Sequence, residues 1–133
     1  MYIAPTPESI ATLIGREIDG PVTMLNLMRF RAVADYTEHP DLAPDTPISG
    51  EKAYDIYAGL TMEHLTDVGG NVLLMGSGGP LLIGPAEERW DRVLVIEYPS
   101  LDAFLSMIQN PEYLKGAGHR TASLEDSRLL PIT

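Results

Sequence analysis

The chain has 133 residues, of which 44% are hydrophobic and 21% charged, and this composition is typical of one folded domain with a substantial core. The absence of cysteine excludes disulfides, zinc-thiolate centres and cysteine nucleophiles. The formal net charge of −10 argues against binding to nucleic acid or to an anionic membrane surface, and no apolar stretch is long enough to span a membrane, so we expect a cytoplasmic protein.

A helix and a strand are the first predicted elements. Residues 6–8, "TPE", have the features of a helix start, namely a capping hydroxyl, a proline and an acid in the first turn. The apolar stripe that follows predicts that this helix ends at Gly20. The stretch "PVTMLNLMRF", residues 21–30, predicts a strand that is largely apolar on both faces. We therefore expect an N-terminal helical extension over residues 1–20 and one main domain over residues 21–133.

The middle of the chain predicts a long connection, a long helix and two strands. Residues 31–50 contain three prolines, which favours either a solvated insertion or a mobile lid. Ser49 caps the next helix, which ends at the glycine pair 69–70. "NVLLMGSG" then predicts a strand, and "GPLLIG" predicts a further short strand after a glycine-rich turn.

The last third predicts a strand, a broken helix and a final strand. "RVLVIEYP" is a strand, Ser100 caps a helix that is interrupted before Pro111, and Pro131 in "SRLLPIT" indicates an edge strand. After the first helix, the order of elements predicts an α+β, ferredoxin-like β-α-β-β-α-β domain with both helices on one face of an antiparallel sheet. Because the strands are apolar on both sides, we expect a second copy to cover the other face.

Several motifs together resemble one known family. They are "MLNLMRF", the glycine pair after the long helix, "WDRVLVIEYPS", "NPEY" and "HRTASLEDSRLL", and over about residues 21–133 they resemble the family named domain of unknown function 1330. The resemblance implies a dimeric α+β barrel, in which two ferredoxin-like sheets pair face to face, and it implies no function. The wider superfamily includes cofactor-free monooxygenases, muconolactone-type isomerases and haem proteins, an analogy at the level of the fold.

Three residues are candidates for catalysis. His119 and His64 could carry a proton near neutral pH, and Arg120 could stabilise a developing anion. Neighbours on a helix do not share a face, so His119 and Arg120 are not expected to act on the same atom. The alternatives are that His119 is exposed, that Arg120 ties its helix to the acidic loop, and that His64 lies at the edge of the core.

Candidates for ligand binding are mainly buried polar and aromatic residues: Asn26, Arg29, Tyr57, Tyr98 and Tyr113. A buried amide without partners costs about 1–3 kcal/mol, so Asn26 must bond a ligand, neighbouring backbone or a residue across the dimer. Arg29 could bind a carboxylate, or it could pair with Glu97 or an acid of the long loop. The tyrosines suit a pocket wall and the core equally well.

The expected function is that of a cofactor-independent enzyme or binder of a small organic molecule, with isomerase- or monooxygenase-like chemistry. The ligand is expected to be aromatic or to carry a carboxylate. No metal is expected, because His39, His64 and His119 lack the local spacing of metal ligands. The alternatives are a non-catalytic homodimer with a structural or interaction role and a haem-binding protein.

Overall fold

The computed structural model describes all 133 residues, which form one four-stranded sheet and four α-helices. In chain order the elements are α1 (Pro7–Gly15), β1 (Val22–Phe30), a 3-10 turn (Pro40–Leu42), α2 (Gly50–Asp67), β2 (Asn71–Pro80), β3 (Arg89–Tyr98), α3 (Leu101–Gln109), α4 (Pro111–Ser123) and β4 (Leu124–Ile132). The strand order is β2-β3-β1-β4 with every pair antiparallel. The predicted α+β, ferredoxin-like fold is therefore confirmed. None of the helices has the length and hydropathy that a membrane span requires.

The helices begin where their capping residues predict. The hydroxyls of Thr6, Ser49 and Ser100 each accept a hydrogen bond from the backbone N–H of the third residue after them. Asn110 ends α3 and caps α4, so the predicted interruption before Pro111 is present. Gly69, with a φ of 82°, follows the end of α2 in the left-handed conformation that the glycine pair predicts.

Two predicted boundaries are wrong. Helix α1 ends at Gly15 rather than at Gly20, because Glu17 adopts a φ of 51°, which a right-handed helix cannot include. The segment "GPLLIG" is not a separate strand, since β2 continues through its glycines to Pro80. Gly78 lies directly against the backbone carbonyl of Trp90, so glycine serves close strand pairing here and not a turn.

The core lies between one face of the sheet and the helices. Its buried side chains come from alternate positions of β1, from the end of β3, from the start of β4 and from the facing helices: Val22, Met24, Met28, Phe30, Tyr54, Leu65, Tyr98, Met107, Tyr113 and Leu124. The first helix contributes Leu13 to this core, and Ile18 packs on it from outside the helix. The long helix α2 and the last helix α4 lie side by side over the sheet, and the space between them holds the candidate site.

The other face of the sheet, here named the open face, carries no helix. The strand register shows which side chains are neighbours on the open face: Leu25 lies opposite Val95 and Leu130, and Leu27 lies opposite Val93. These side chains are partly to largely exposed, and Leu130 keeps 56% of its surface accessible. The prediction that both faces of β1 are apolar is thus confirmed, and the helices cover only one of them.

Candidate functional site

A cleft of about 430 Å³ opens between α2 and α4. Its lining comes from those two helices and the 3-10 turn: Leu42, Leu60, Glu63, His64, Glu112, Tyr113, Lys115, Gly116 and His119. The lining positions recur at three- and four-residue spacing on each helix, which places them on the two facing sides. The cleft therefore brings together three of the sequence-predicted site residues, His64, Tyr113 and His119.

His119 is the more enclosed of the two histidines of the cleft. Only 8% of its surface is exposed, and its Nδ1 lies 2.8 Å from the hydroxyl of Tyr36. Burial lowers the pKa of His119 below its ordinary value of 6.5, so the imidazole is neutral at neutral pH. Its Nε2 makes no hydrogen bond within the chain and is not sealed from solvent. The structure thus fixes one ring nitrogen and leaves the other free for a ligand.

The segment 31–49 supports this arrangement from outside α4. The backbone N–H of Asp35 donates to the carbonyl of Ala122 at 2.9 Å, close to the end of the helix. Further along, His39 and Leu42 pack against Gly118, where a Cβ would lie 2.7 Å from Cγ of His39 and 2.6 Å from Cδ1 of Leu42. The loop is therefore docked on the helix, and the glycine that weakens α4 as a helix makes this close approach possible.

A chain of aromatic groups leads from the cleft into the core. The ring of His64 stands edge-on to Tyr113 with centroids 6.4 Å apart, and the hydroxyl of Tyr113 lies 2.7 Å from that of Tyr57. Burial raises the pKa of Tyr113 and of Tyr98 far above the ordinary value, so both remain protonated. Tyr98 does not line the cleft. It packs edge-on against Phe104 at 5.1 Å within the core.

Asn26, Arg29 and Arg120 also lie outside the cleft. The side-chain amide of Asn26 donates to the carbonyl of Leu94 at 3.1 Å, in the neighbouring strand, and to that of Met24 at 3.3 Å. This bonding to nearby backbone is one of the alternatives that the sequence left open. The guanidinium of Arg120 donates to the carbonyl of Ile3, so its partner is the N-terminal segment and not an acid of the loop.

Arg29 belongs to the open face. Its Nε lies 3.2 Å from a carboxylate oxygen of Glu125, and its Nη2 lies 3.8 Å from Asp126. The guanidinium also stands 6.0 Å from the ring of Trp90. Its acidic partners are therefore residues of β4, rather than Glu97 or an acid of the long loop.

The sequence did not single out the charged residues of the cleft. Glu112 and Lys115 precede His119 by two turns and one turn of the same helix, and Glu63 adjoins His64. These positions relative to the two histidines are the signal in the sequence that could have placed the charged residues at the site. No such signal could reveal Tyr36, which is 83 positions away from His119 along the chain. No group of three or more histidine, cysteine or acidic residues in the structure could hold a metal ion.

Comparison with known proteins identifies a family and the fold. The model of the family described as domain of unknown function (DUF1330) matches residues 45–130. The chain is similar to the methylated RPA0582 protein, with 39% identity over 99% of this chain and 93% of that one, at a TM-score of 0.89. A second structure, of the RPA0582 protein of unknown function from Rhodopseudomonas palustris, has 39% identity over 98% and 95% of the chains, at a TM-score of 0.87.

More distant similarity supports the fold alone. SnoaB, a cofactor-independent oxygenase from Streptomyces nogalater, shares 15% identity over 86% of this chain and 93% of its own, at a TM-score of 0.52. No curated protein matches the chain. The activity of this protein must therefore be argued from its own residues.

Proposed function

The chain belongs to the family of domain of unknown function 1330, and we propose that it binds a small organic molecule in the cleft between α2 and α4. We propose further that it acts on this molecule without a cofactor, with His119 as the group that transfers a proton. This proposal keeps the function expected from the sequence, that of an enzyme or binder of a small organic molecule, and assigns it to one cleft.

The environment of His119 is the observation that carries the proposal. The Tyr36 hydroxyl can accept a hydrogen bond from Nδ1–H in one tautomer and donate to Nδ1 in the other. Nε2 can therefore be either a proton acceptor or a proton donor while the ring keeps its position. A buried, neutral imidazole with one oriented nitrogen and one free nitrogen is suited to general acid–base catalysis.

The site supports removal of a proton from an acidic carbon and its later return. Isomerase-like and cofactor-free oxygenase-like reactions both begin with that removal. His64 is the second proton carrier at the cleft, and Tyr113 supplies an aromatic wall while its hydroxyl bonds that of Tyr57. Arg29 and Arg120 do not reach the cleft, so an anion formed there would rely on the imidazolium that the proton transfer leaves on His119.

The proposed quaternary structure is a homodimer through the open face. Leucine and valine side chains of the three strands β1, β3 and β4 form a continuous apolar surface there, and burying it in a second copy removes it from water. No strand residue lines the cleft. A dimer of this kind therefore leaves both clefts accessible.

An NMR fragment screen on the isotope-labelled wild-type protein tests the ligand site. Fragments that bind should shift the amide signals of residues 60–64 and 112–119, and they should change the imidazole signals of His119. A His119→Asn variant should bind the same fragments more weakly, whereas a Glu87→Gln variant, at an exposed position in the connection between β2 and β3, should bind them as the wild type does. Fragments that shift only residues elsewhere, or that bind both variants equally, would contradict the proposal.

One observation favours a second candidate, a non-catalytic homodimer. Asn26 and Arg29, which the sequence suggested for ligand binding, have partners within the sheet instead: Asn26 donates to the backbone of β3, and Arg29 forms ion pairs with acidic side chains of β4. Such bonds can fix strand register and an interface. This candidate predicts that no fragment shifts the cleft signals of a well-folded dimer.

A further inference from the structure

We propose that the ligand of the cleft is a small organic cation, an amine with an apolar body, rather than a carboxylate. This inference rests on the proposed function, because it requires that the cleft bind a small molecule. It differs from the sequence-based expectation, which allowed a ligand that carries a carboxylate.

The charges of the cleft favour a cation. Lys115 is neutralised by Glu112, whose two carboxylate oxygens lie 2.9 and 3.1 Å from its ammonium group. Glu63 has no basic partner in the chain. His119 adds no positive charge at neutral pH, because burial favours its neutral form. The lining is thus left with one unbalanced carboxylate, in a chain whose net charge is −10.

No cation of the cleft is without an acidic partner, because its one basic side chain, Lys115, is paired with Glu112. The guanidinium of Arg120 is engaged by the carbonyl of Ile3, and Arg29 lies with its acidic partners on the open face. An ammonium group, by contrast, finds three suitable groups at the cleft. These are the carboxylate of Glu63, Nε2 of His119 and the ring of Tyr113, all from residues of the lining.

The remaining walls suit an apolar body. Leu60 is three residues before Glu63 on α2, so the two share the face that looks towards α4. Opposite them is Gly116, where a Cβ would already lie 3.1 Å from Cδ1 of Leu60. Leu42 of the 3-10 turn adds a second leucine to the lining. A carbon skeleton can therefore lie between Leu60 and Leu42 while its amine is beside Glu63.

The test compares three molecules that share a phenyl-ethyl body and differ in charge: phenethylamine, phenethyl alcohol and hydrocinnamate. Each is titrated into the labelled protein at neutral pH and low salt, and the dissociation constant is taken from the shifts of the cleft amides. We expect the amine to bind roughly 2- to 5-fold more tightly than the alcohol, as for partly exposed ion pairs, and the carboxylate to bind most weakly. Added salt should reduce the difference.

A matched pair of variants tests the assignment to Glu63. In Glu63→Gln the preference for the amine over the alcohol should disappear. Glu87→Gln changes the net charge of the protein equally, at an exposed position in the connection between β2 and β3, and should keep the preference. A preference that survives in Glu63→Gln would overturn the assignment.

The outcomes separate this inference from the proposed function. If hydrocinnamate binds at the cleft as tightly as the amine, or more tightly, the inference of a cationic ligand is wrong, whereas the proposal that the cleft binds small molecules is supported. If none of the three molecules shifts a cleft amide, both the cationic ligand and the proposed function are overturned.

Discussion

At the scale of single residues, the burial of His119 links proton binding to stability. Because burial lowers the pKa of His119 in the folded state, the unfolded chain binds this proton more readily. The stability from the neutral imidazole is fully present above the ordinary value of 6.5, and it is lost as the pH falls from 6.5 through the folded pKa. We expect the free energy of unfolding, measured in urea, to decrease over this range.

The variant His119→Asn should remove that part of the pH dependence. Its absolute stability will also be lower, because the bond to Tyr36 is lost, so the readout is the slope against pH and not the value at one pH. A slope equal to that of the wild type would assign the pH dependence to other groups.

The hydroxyl of Tyr36 should position the ring of His119. Tyr36→Phe removes the partner of Nδ1, and we expect a loss of about 1 kcal/mol in the free energy of unfolding, the usual net value of one such hydrogen bond. The tautomer ratio of His119, read from its imidazole nitrogen shifts, should change at the same time. Tyr98→Phe, a change of the same size in the core, should leave the tautomer ratio unaltered.

At the scale of elements, two helical glycines should respond to alanine with opposite signs. Gly59 on α2 is exposed, with nothing within 4 Å of a Cβ, so Gly59→Ala should stabilise the protein by up to about 1 kcal/mol through helix propensity. Gly118→Ala gains the same propensity but drives a Cβ into His39 and Leu42. We expect Gly118→Ala to destabilise the protein and to displace the segment 31–49.

Thermal unfolding of the two variants checks the sign of each effect, and amide shifts of the loop check the displacement. If Gly118→Ala stabilised the protein, the packing of the loop on α4 would be weaker than these distances indicate.

The elements also show how far the sequence determines the fold. Caps at Ser49 and Ser100 act within one helical turn, so a local pattern reveals them. The end of α1 depends on the backbone of Glu17, and the role of Gly78 depends on the distant carbonyl of Trp90. Neither feature can be inferred from the neighbouring residues in the sequence, and for this reason both predicted boundaries are wrong.

The sequence likewise identified only part of the candidate site. His64, Tyr113 and His119 are candidates by residue type, and the structure places all three at the cleft. The chemistry of Arg29 and Arg120 depends on partners from β4 and from the N-terminal segment. A guanidinium pairs with whichever oxygen the fold brings near, so residue type alone could not assign them to a ligand.

At the scale of the whole molecule, the open face should decide the oligomeric state. Leu130 lies on that face with 56% of its surface exposed, whereas Leu114 on α4 is exposed to 52% and lines neither the open face nor the cleft. In a symmetric dimer a charge at Leu130 would be buried twice, once in each copy. Leu130→Glu should therefore dissociate the proposed dimer, because an unpaired buried carboxylate costs several kcal/mol.

Sedimentation velocity separates the two faces. We expect wild type and Leu114→Glu to sediment as dimers at concentrations where Leu130→Glu sediments as a monomer. Because no strand residue lines the cleft, the Leu130→Glu monomer should still bind fragments between α2 and α4. If the wild type sediments as a monomer, the proposed dimer through the open face is wrong. If a folded Leu130→Glu monomer has lost fragment binding, the cleft binds its ligand only in the dimer. The open face and the cleft would then be functionally coupled.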